Sequence, residues 1–137
     1  MSWAHSLIKL STYEVETLQK RLSEITDRRV AAEMKLTMLH AEGEAEAISA
    51  RVDAAAGWYH IGFLDGLRIR KAAAQAVIEV MAQEERGARD ALAQAFETQK
   101  KYEQIAEQMR IAEVKERAKR ETAALDELGL RKVARRV

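Results

Sequence analysis

Apolar side chains recur in a three-four alternation through the first third of the chain. Ile8, Val15, Leu18, Leu22, Ile25, Ala32, Leu36 and Leu39 occupy the a and d slots of a heptad. This spacing gathers them into one stripe on a helix and describes a coiled-coil seam. Ser11 and Arg29 stand in two of the same slots, so the seam is imperfect there, either wetter or fixed in register. Gly43 takes the next a slot. Beyond it the segment 44–56 turns Ala- and Glu-rich, and Ala45, Ile48, Val52 and Ala56 predict a thinner stripe on a continuing helix. Gly57, Gly62 and Gly66 bracket Trp58, Tyr59, Ile61, Phe63 and Leu64, and this cluster is the predicted turn. A second heptad phase runs through Ile78, Met81, Ala88, Leu92, Ala95, Tyr102, Ala106 and Met109, then slips to Ile111, Val114, Ala118, Leu125 and Leu128.

The simplest partner for the second stripe is the first. The expected fold is all-α: two long helices in an antiparallel coiled-coil hairpin, as one unit over residues 1–137. The first arm spans about 4–57, the turn about 57–66 and the second arm about 67–135. Arms of such length, at a rise of about 1.5 Å per residue, predict a hairpin roughly 80 to 100 Å long with both termini at one end. A single continuous helix in a parallel dimer and a folded-over bundle are the rival architectures, and the central glycines argue against the first.

Composition agrees with helix. The chain has no Pro and no Cys, and charged residues make up 33% of it against 5% aromatic, which leaves little material for a thick globular core. Without Cys there are no disulfides and no thiolate metal sites. The formal net charge of +1 predicts no overall steering toward nucleic acid. No run approaches the length of apolar sequence that spans a bilayer, and residues 1–10 lack a secretory layout, so no transmembrane segment and a cytoplasmic location are expected.

Catalysis needs a nucleophile, a base and a stabilising site converging in a pocket, which a two-helix chain does not offer. No enzyme signature, phosphate loop or calcium loop occurs, so no enzyme activity, catalytic residue, cofactor or metal is expected. His5, His40 and His60 are far apart and none follows a Glu by three residues, so each reads as a solvated or capping histidine. Glu42, Glu44, Glu46, Glu84 and Glu85 read as solvating helix faces. Two basic clusters keep two readings each. Arg68, Arg70 and Lys71 follow the predicted turn, and Arg131, Lys132, Arg135 and Arg136 close the chain. The second either docks on acidic or phosphate groups or complements the dipole at a helix C-terminus. Trp58, Tyr59 and Phe63 either plug the end of the coiled coil or anchor a partner.

Several segments together carry a family resemblance. Ser6-Leu7-Ile8-Lys9-Leu10, followed by Tyr13-Glu14-Val15-Glu16, Leu18-Gln19-Lys20-Arg21-Leu22 and Ile25, resembles the N-terminal arm of the FliJ family. The central run Trp58-Tyr59-His60-Ile61-Gly62-Phe63-Leu64-Asp65-Gly66-Leu67 resembles that family's aromatic-x-x-Phe-[Leu/Ile]-x-x-Leu segment. Leu125-Asp126-Glu127-Leu128-Gly129 resembles its C-terminal apolar-Asp-Glu-apolar-Ala element, with the same basic ending.

The resemblance implies a stalk like that of rotary ATPases in the flagellar type III export apparatus. Its implied partners are the hexameric export ATPase, the cytoplasmic domain of the membrane export-gate protein and substrate chaperones. The implied place is the cytoplasmic face of the inner membrane at the flagellar base. Carried over by position, gate contact falls on Leu39, Phe63 and Leu67, with Tyr59 as a substitute aromatic, because Glu42 and Glu46 stand where the family tends to place tyrosines. ATPase contact is expected at Ile8 and Leu10 with Arg131, Lys132, Arg135 and Arg136, on the premise that the hairpin joins the termini. Other readings are a virulence-secretion stalk, a generic coiled-coil adaptor and a nucleic-acid-associated coiled coil reading the backbone through the two basic clusters. A last one is a membrane-surface helix using Trp3, Leu7, Ile8 and Leu10.

Overall fold

The computed structural model describes residues 3–52 and 56–136, the side chains at 56 and 57 excepted. All of them are helical: α1 is Trp3–Val52 and α2 is Ala56–Arg136. The absence of Pro leaves every backbone amide able to join the ladder, and the long runs of Ala, Glu, Arg, Leu and Lys are strong helix formers. Arg51 closes α1, and Arg135 and Arg136 close α2, each placing cations at the negative end of a helix dipole. The antiparallel helical hairpin expected from the two stripes is the fold found.

The helices pack in two compact units, one of Val15–Gln94 and one of Met1–Glu14 with Ala95–Val137. In the first, pairing runs from Arg29 with Glu85 to Glu42 with Arg70 and Gly43 with Leu67, so one residue number rises as the other falls. Its interior is narrow. Val15, Ile25, Leu39, Leu67, Ala74 and Ala88 are buried, and Leu39, Leu67 and Ala74 form one cluster with Leu36 and Phe63 packed against it. Small Ala side chains let the helices approach closely while burying little area each.

In the second unit Ala4, Ser11 and Ala95 are buried and Ile8 is half-buried. Gln99 donates through Nε2 to Thr12 Oγ1 at 3.1 Å, joining the helices. Ser11 sits in its seam slot at 2% exposure, but its hydroxyl donates to the Ile8 carbonyl one turn back at 2.9 Å. It is satisfied within its own helix and fixes no cross-helix register.

Three expectations are corrected. The glycines at 62 and 66 lie inside α2 with no positive φ, and the helix is already under way at Ala56, so the expected turn does not fall on them. A lone Gly costs a helix only about 1 kcal/mol relative to Ala. The buried residues Leu67 and Ala74 lie seven apart around Gly66 and the residues after it, and their packing outweighs that cost.

The thinner stripe is not where the Ala-rich composition placed it. Ile48 is 63% and Val52 85% exposed, while Gly43, Glu46 and Ala50 continue the original heptad frame and are half-buried, with Ala47 beside them. The face toward α2 is set by that frame and not by side-chain size. Finally, the apolar residues after Met109 do not pack on α1. Every residue from 107 to 136 is exposed.

Candidate functional site

Open grooves line the helices, and among the described residues no three His, Cys, Asp or Glu are placed to hold a metal ion. Nor is any described helix long and apolar enough to cross a membrane. Two regions gather the residues that the sequence singled out.

The first lies in unit Val15–Gln94 around the residues expected to meet the export gate. Leu39 and Leu67 are 5% and 2% exposed, so they hold α1 against α2 and present no surface of their own. Phe63 packs at the margin of that cluster, with the Arg70 guanidinium 5.7 Å from its ring centroid. Such placement favours the cation by the ring quadrupole. Glu42 lies 3.7 Å from Arg70. Tyr59 is 82% exposed and neighbouring Trp58 86%, with Ile61 and Leu64 also exposed. The four expected gate residues thus divide into two interior, one marginal and one surface residue. Arg70 is the member that spacing alone had not joined to Phe63; the seven-residue spacing, two turns along one helix face, would have been the signal, but the sequence reading placed them in different elements.

One polar network crosses the seam of this unit. Arg29 occupies its seam slot by donating from Nε to Glu85 and from a terminal nitrogen to Glu33 at 2.8 Å, while Arg89 donates to Glu85 at 2.7 Å. Glu85 is a buried residue held between two guanidiniums. Its hydrogen bonds from Arg89 and then Arg29 hold its carboxyl below the usual glutamate range, against the opposing effect of desolvation. The Arg29 guanidinium is pushed up by the same bonds, first by that to Glu85 and then by that to Glu33. Arg29 therefore has the register-fixing role that its seam position allowed, and Glu85 is not the solvating residue its run suggested. His60 is half-buried, and its Nδ1 has no hydrogen-bond partner among the described residues, so it is not a freely solvated histidine.

The second region lies in the other unit. His5 and Ile8 of α1, with Ala106, Met109 and Glu113 of α2, line an open notch of about 670 Å³ where α1 starts. Leu10 is 63% exposed. Past the notch α2 continues alone to Arg136, carrying exposed Ile111, Val114, Leu125, Leu128, Leu130 and Val133. Four ion pairs along this stretch join residues three or four apart: Glu107 with Arg110, Glu113 with Arg117, Glu116 with Arg120 and Glu127 with Arg131. The Arg110 bonds hold the Glu107 carboxyl below its usual range. Such pairs support an isolated helix by a few tenths of a kcal/mol each.

Residues 8 and 10 stand more than 120 residues in sequence from the basic tail, and α2 is longer than α1. At a rise of about 1.5 Å per residue, Arg131 lies roughly 37 Å along the helix beyond the level of Ala106, the α2 residue beside Ile8. The expected ATPase set is thus not one patch. Arg131, Lys132, Arg135 and Arg136 belong to the unpaired stretch, and Ile8 and Leu10 to the notch at its base.

No protein-family model matches the chain, and no solved structure is similar to it. Two curated relatives are similar, each named "Flagellar FliJ protein". They come from Caulobacter vibrioides strains NA1000 / CB15N and ATCC 19089 / CIP 103742 / CB 15. Each is 55% identical over 132 residues, which cover 96% of this chain and 95% of the relative. An identity this high over 96% of the chain makes it a member of the flagellar FliJ protein family.

Proposed function

We propose that the chain is a non-enzymatic component of the flagellar type III export apparatus, a stalk that binds the hexameric export ATPase and promotes its assembly. In this reading it works in the cytoplasm at the inner face of the membrane, linking the ATPase to the export gate and to substrate chaperones. The family supports a flagellar role. The observation that carries the stalk is the unpaired stretch of α2, whose exposed Ile111, Val114, Leu125 and Leu128 share a heptad face ahead of the cations Arg131, Lys132, Arg135 and Arg136. An apolar stripe on a lone helix gains little from water and gains much from a ring of partner side chains around it. The basic tail then steers and orients the encounter.

The gate contact we assign to the surface around Tyr59 and Phe63, with Leu39 and Leu67 supporting it from beneath. The Ile8–Leu10 turn forms the base of the ATPase-binding stretch. Mixing the chain with the export ATPase of the same organism, while recording nucleotide hydrolysis and assembly size, tests the central claim. Stimulated hydrolysis with ring formation is expected. Reversing Arg131, Lys132, Arg135 and Arg136 to Glu should weaken the effect more at low salt than at high salt. A folded chain that leaves the ATPase unchanged and unassembled overturns the stalk.

A further inference from the structure

The two sides of the helix pair in unit Val15–Gln94 differ in charge. One side carries the closed network of Arg29, Glu33, Glu85 and Arg89, in which each cation meets a carboxylate. The other side holds an open groove of about 380 Å³ between α1 and α2, walled by Ala31, Ala73 and Val77 and rimmed by Arg28, Lys35 and Arg70. No acidic residue lines it. Arg28 and Lys35 form no ion pair among the described residues, and Arg70 has only Glu42, at 3.7 Å. A smaller recess of about 260 Å³, between Leu18, Arg21, Gly87 and Ala91, lies at the preceding heptads of the same seam flank, where Glu84 is the one acid. From Arg21 to Lys35 the flank runs about 20 Å along the axis, or some four helical turns.

We propose that this groove docks an amphipathic helix of a partner protein, its large apolar side chains seated between Ala31 and Val77 and its flanks acidic. Alanines on both walls leave room for side chains that the groove does not itself supply, and Val77, 47% exposed, offers the apolar contact. Three cations with at most one loose partner fit carboxylates along the edges of the incoming helix and oppose lysines there. A second copy of this chain is a poor occupant. Its own uncovered stripe at Ile111, Val114, Leu125 and Leu128 is bordered in the heptad by Arg110, Lys115, Arg117 and Arg131, which repeat the sign of the rim. The assignment stands on the groove alone and is independent of the export reading.

The test uses the full chain and three labelled probes: a designed helical peptide of about 21 residues with Leu at a and d and Glu at e and g, the same peptide with Lys at e and g, and a short DNA duplex. Binding is read by fluorescence anisotropy at two salt concentrations, and a photo-crosslinking side chain on the peptide maps its site. The Glu-flanked peptide should bind about tenfold or more tighter than the Lys-flanked one, and the gap should shrink in high salt. Cross-links should fall in 28–35 and 70–77. Ala73→Leu should fill the groove and weaken binding about tenfold, consistent with overpacking a fitted site. Arg28→Glu with Lys35→Glu should reverse the peptide preference, and Gln19→Glu with Gln75→Glu, on the other side of the pair, should not. If the charge-reversed chain loses its helical melt, Arg28→Gln with Lys35→Gln carries the same comparison and should abolish the preference. Equal affinity for both peptides, cross-links in 107–136, unchanged binding by the Ala73 variant, or tighter binding of the duplex than of the Glu-flanked peptide each overturns the proposal.

Discussion

Leu39 and Leu67 meet between the helices with Ala74, and nothing else of their size is as enclosed in that cluster. Replacing Leu67 by Ala should destabilise the chain by about 2–4 kcal/mol in urea unfolding, through lost transfer energy and the void left behind. Two glycines in helices should respond oppositely to Ala. At Gly87 an added Cβ meets nothing within 4 Å, so Gly87→Ala should stabilise by about 0.5–1 kcal/mol through backbone entropy alone. At Gly43 it would stand 2.7 Å from Leu67 Cδ2, and Leu67 at 2% exposure has little room to move, so Gly43→Ala should forfeit that gain. The seam slot of Gly43 was legible in the heptad, whereas its close approach to Leu67 was not, because a spacing does not say which residue of the partner stands opposite.

Glu85 carries a further residue-scale prediction. Its folded pKa is depressed, so the stability it confers is complete above the ordinary glutamate value of about 4.5 and is lost as pH falls through the lower folded value. The thermal midpoint should therefore fall on acidification below about pH 4.5, and Glu85→Gln should flatten that part of the profile. An unchanged slope in the variant would take Glu85 out of the acid response. Arg29 in a seam slot was visible in the sequence, but its partner was hidden in a Glu84–Glu85 pair of which only the second faces α1.

At the scale of elements, both helices were legible because the three-four alternation survives every polar interruption. What the period could not supply was the cover for each stripe. It drew Ile111, Val114, Leu125 and Leu128 as though they packed on α1, yet all four are exposed. A chain ended after Arg110 should thus keep its melting midpoint while its helical circular-dichroism signal drops in proportion to the residues removed. A large fall in the midpoint would mean that the stretch does pack on the rest. The glycine cluster was misread for a related reason. Gly permits a turn without requiring one, and the apolar face containing Leu67 and Ala74 keeps the segment helical.

For the whole molecule, family membership locates the chain in flagellar biology, and the proposed role assigns its surfaces to partners. The gate assignment is best tested where a side chain can change without loosening the fold. Trp58 and Tyr59 are both more than four-fifths exposed, so Trp58→Ala with Tyr59→Ala should leave the unfolding free energy within about 0.5 kcal/mol of the parent and reduce swimming of a strain carrying it. Normal swimming would remove the pair from the gate surface. By contrast, changes at Leu39 or Leu67 confound contact with stability, since both are interior. Sequence by itself determined that the chain is helical, that each helix has one apolar stripe, and that it resembles the FliJ family. These follow from period, composition and ordered motifs, which are properties of residues along one chain. Only the tertiary structure decided which stripe residues are covered, which leucines are interior, that Glu85 joins two arginines, and that Arg28, Lys35 and Arg70 rim one groove. Each of those depends on register and offset between two helices, which long-range packing sets and no local spacing encodes.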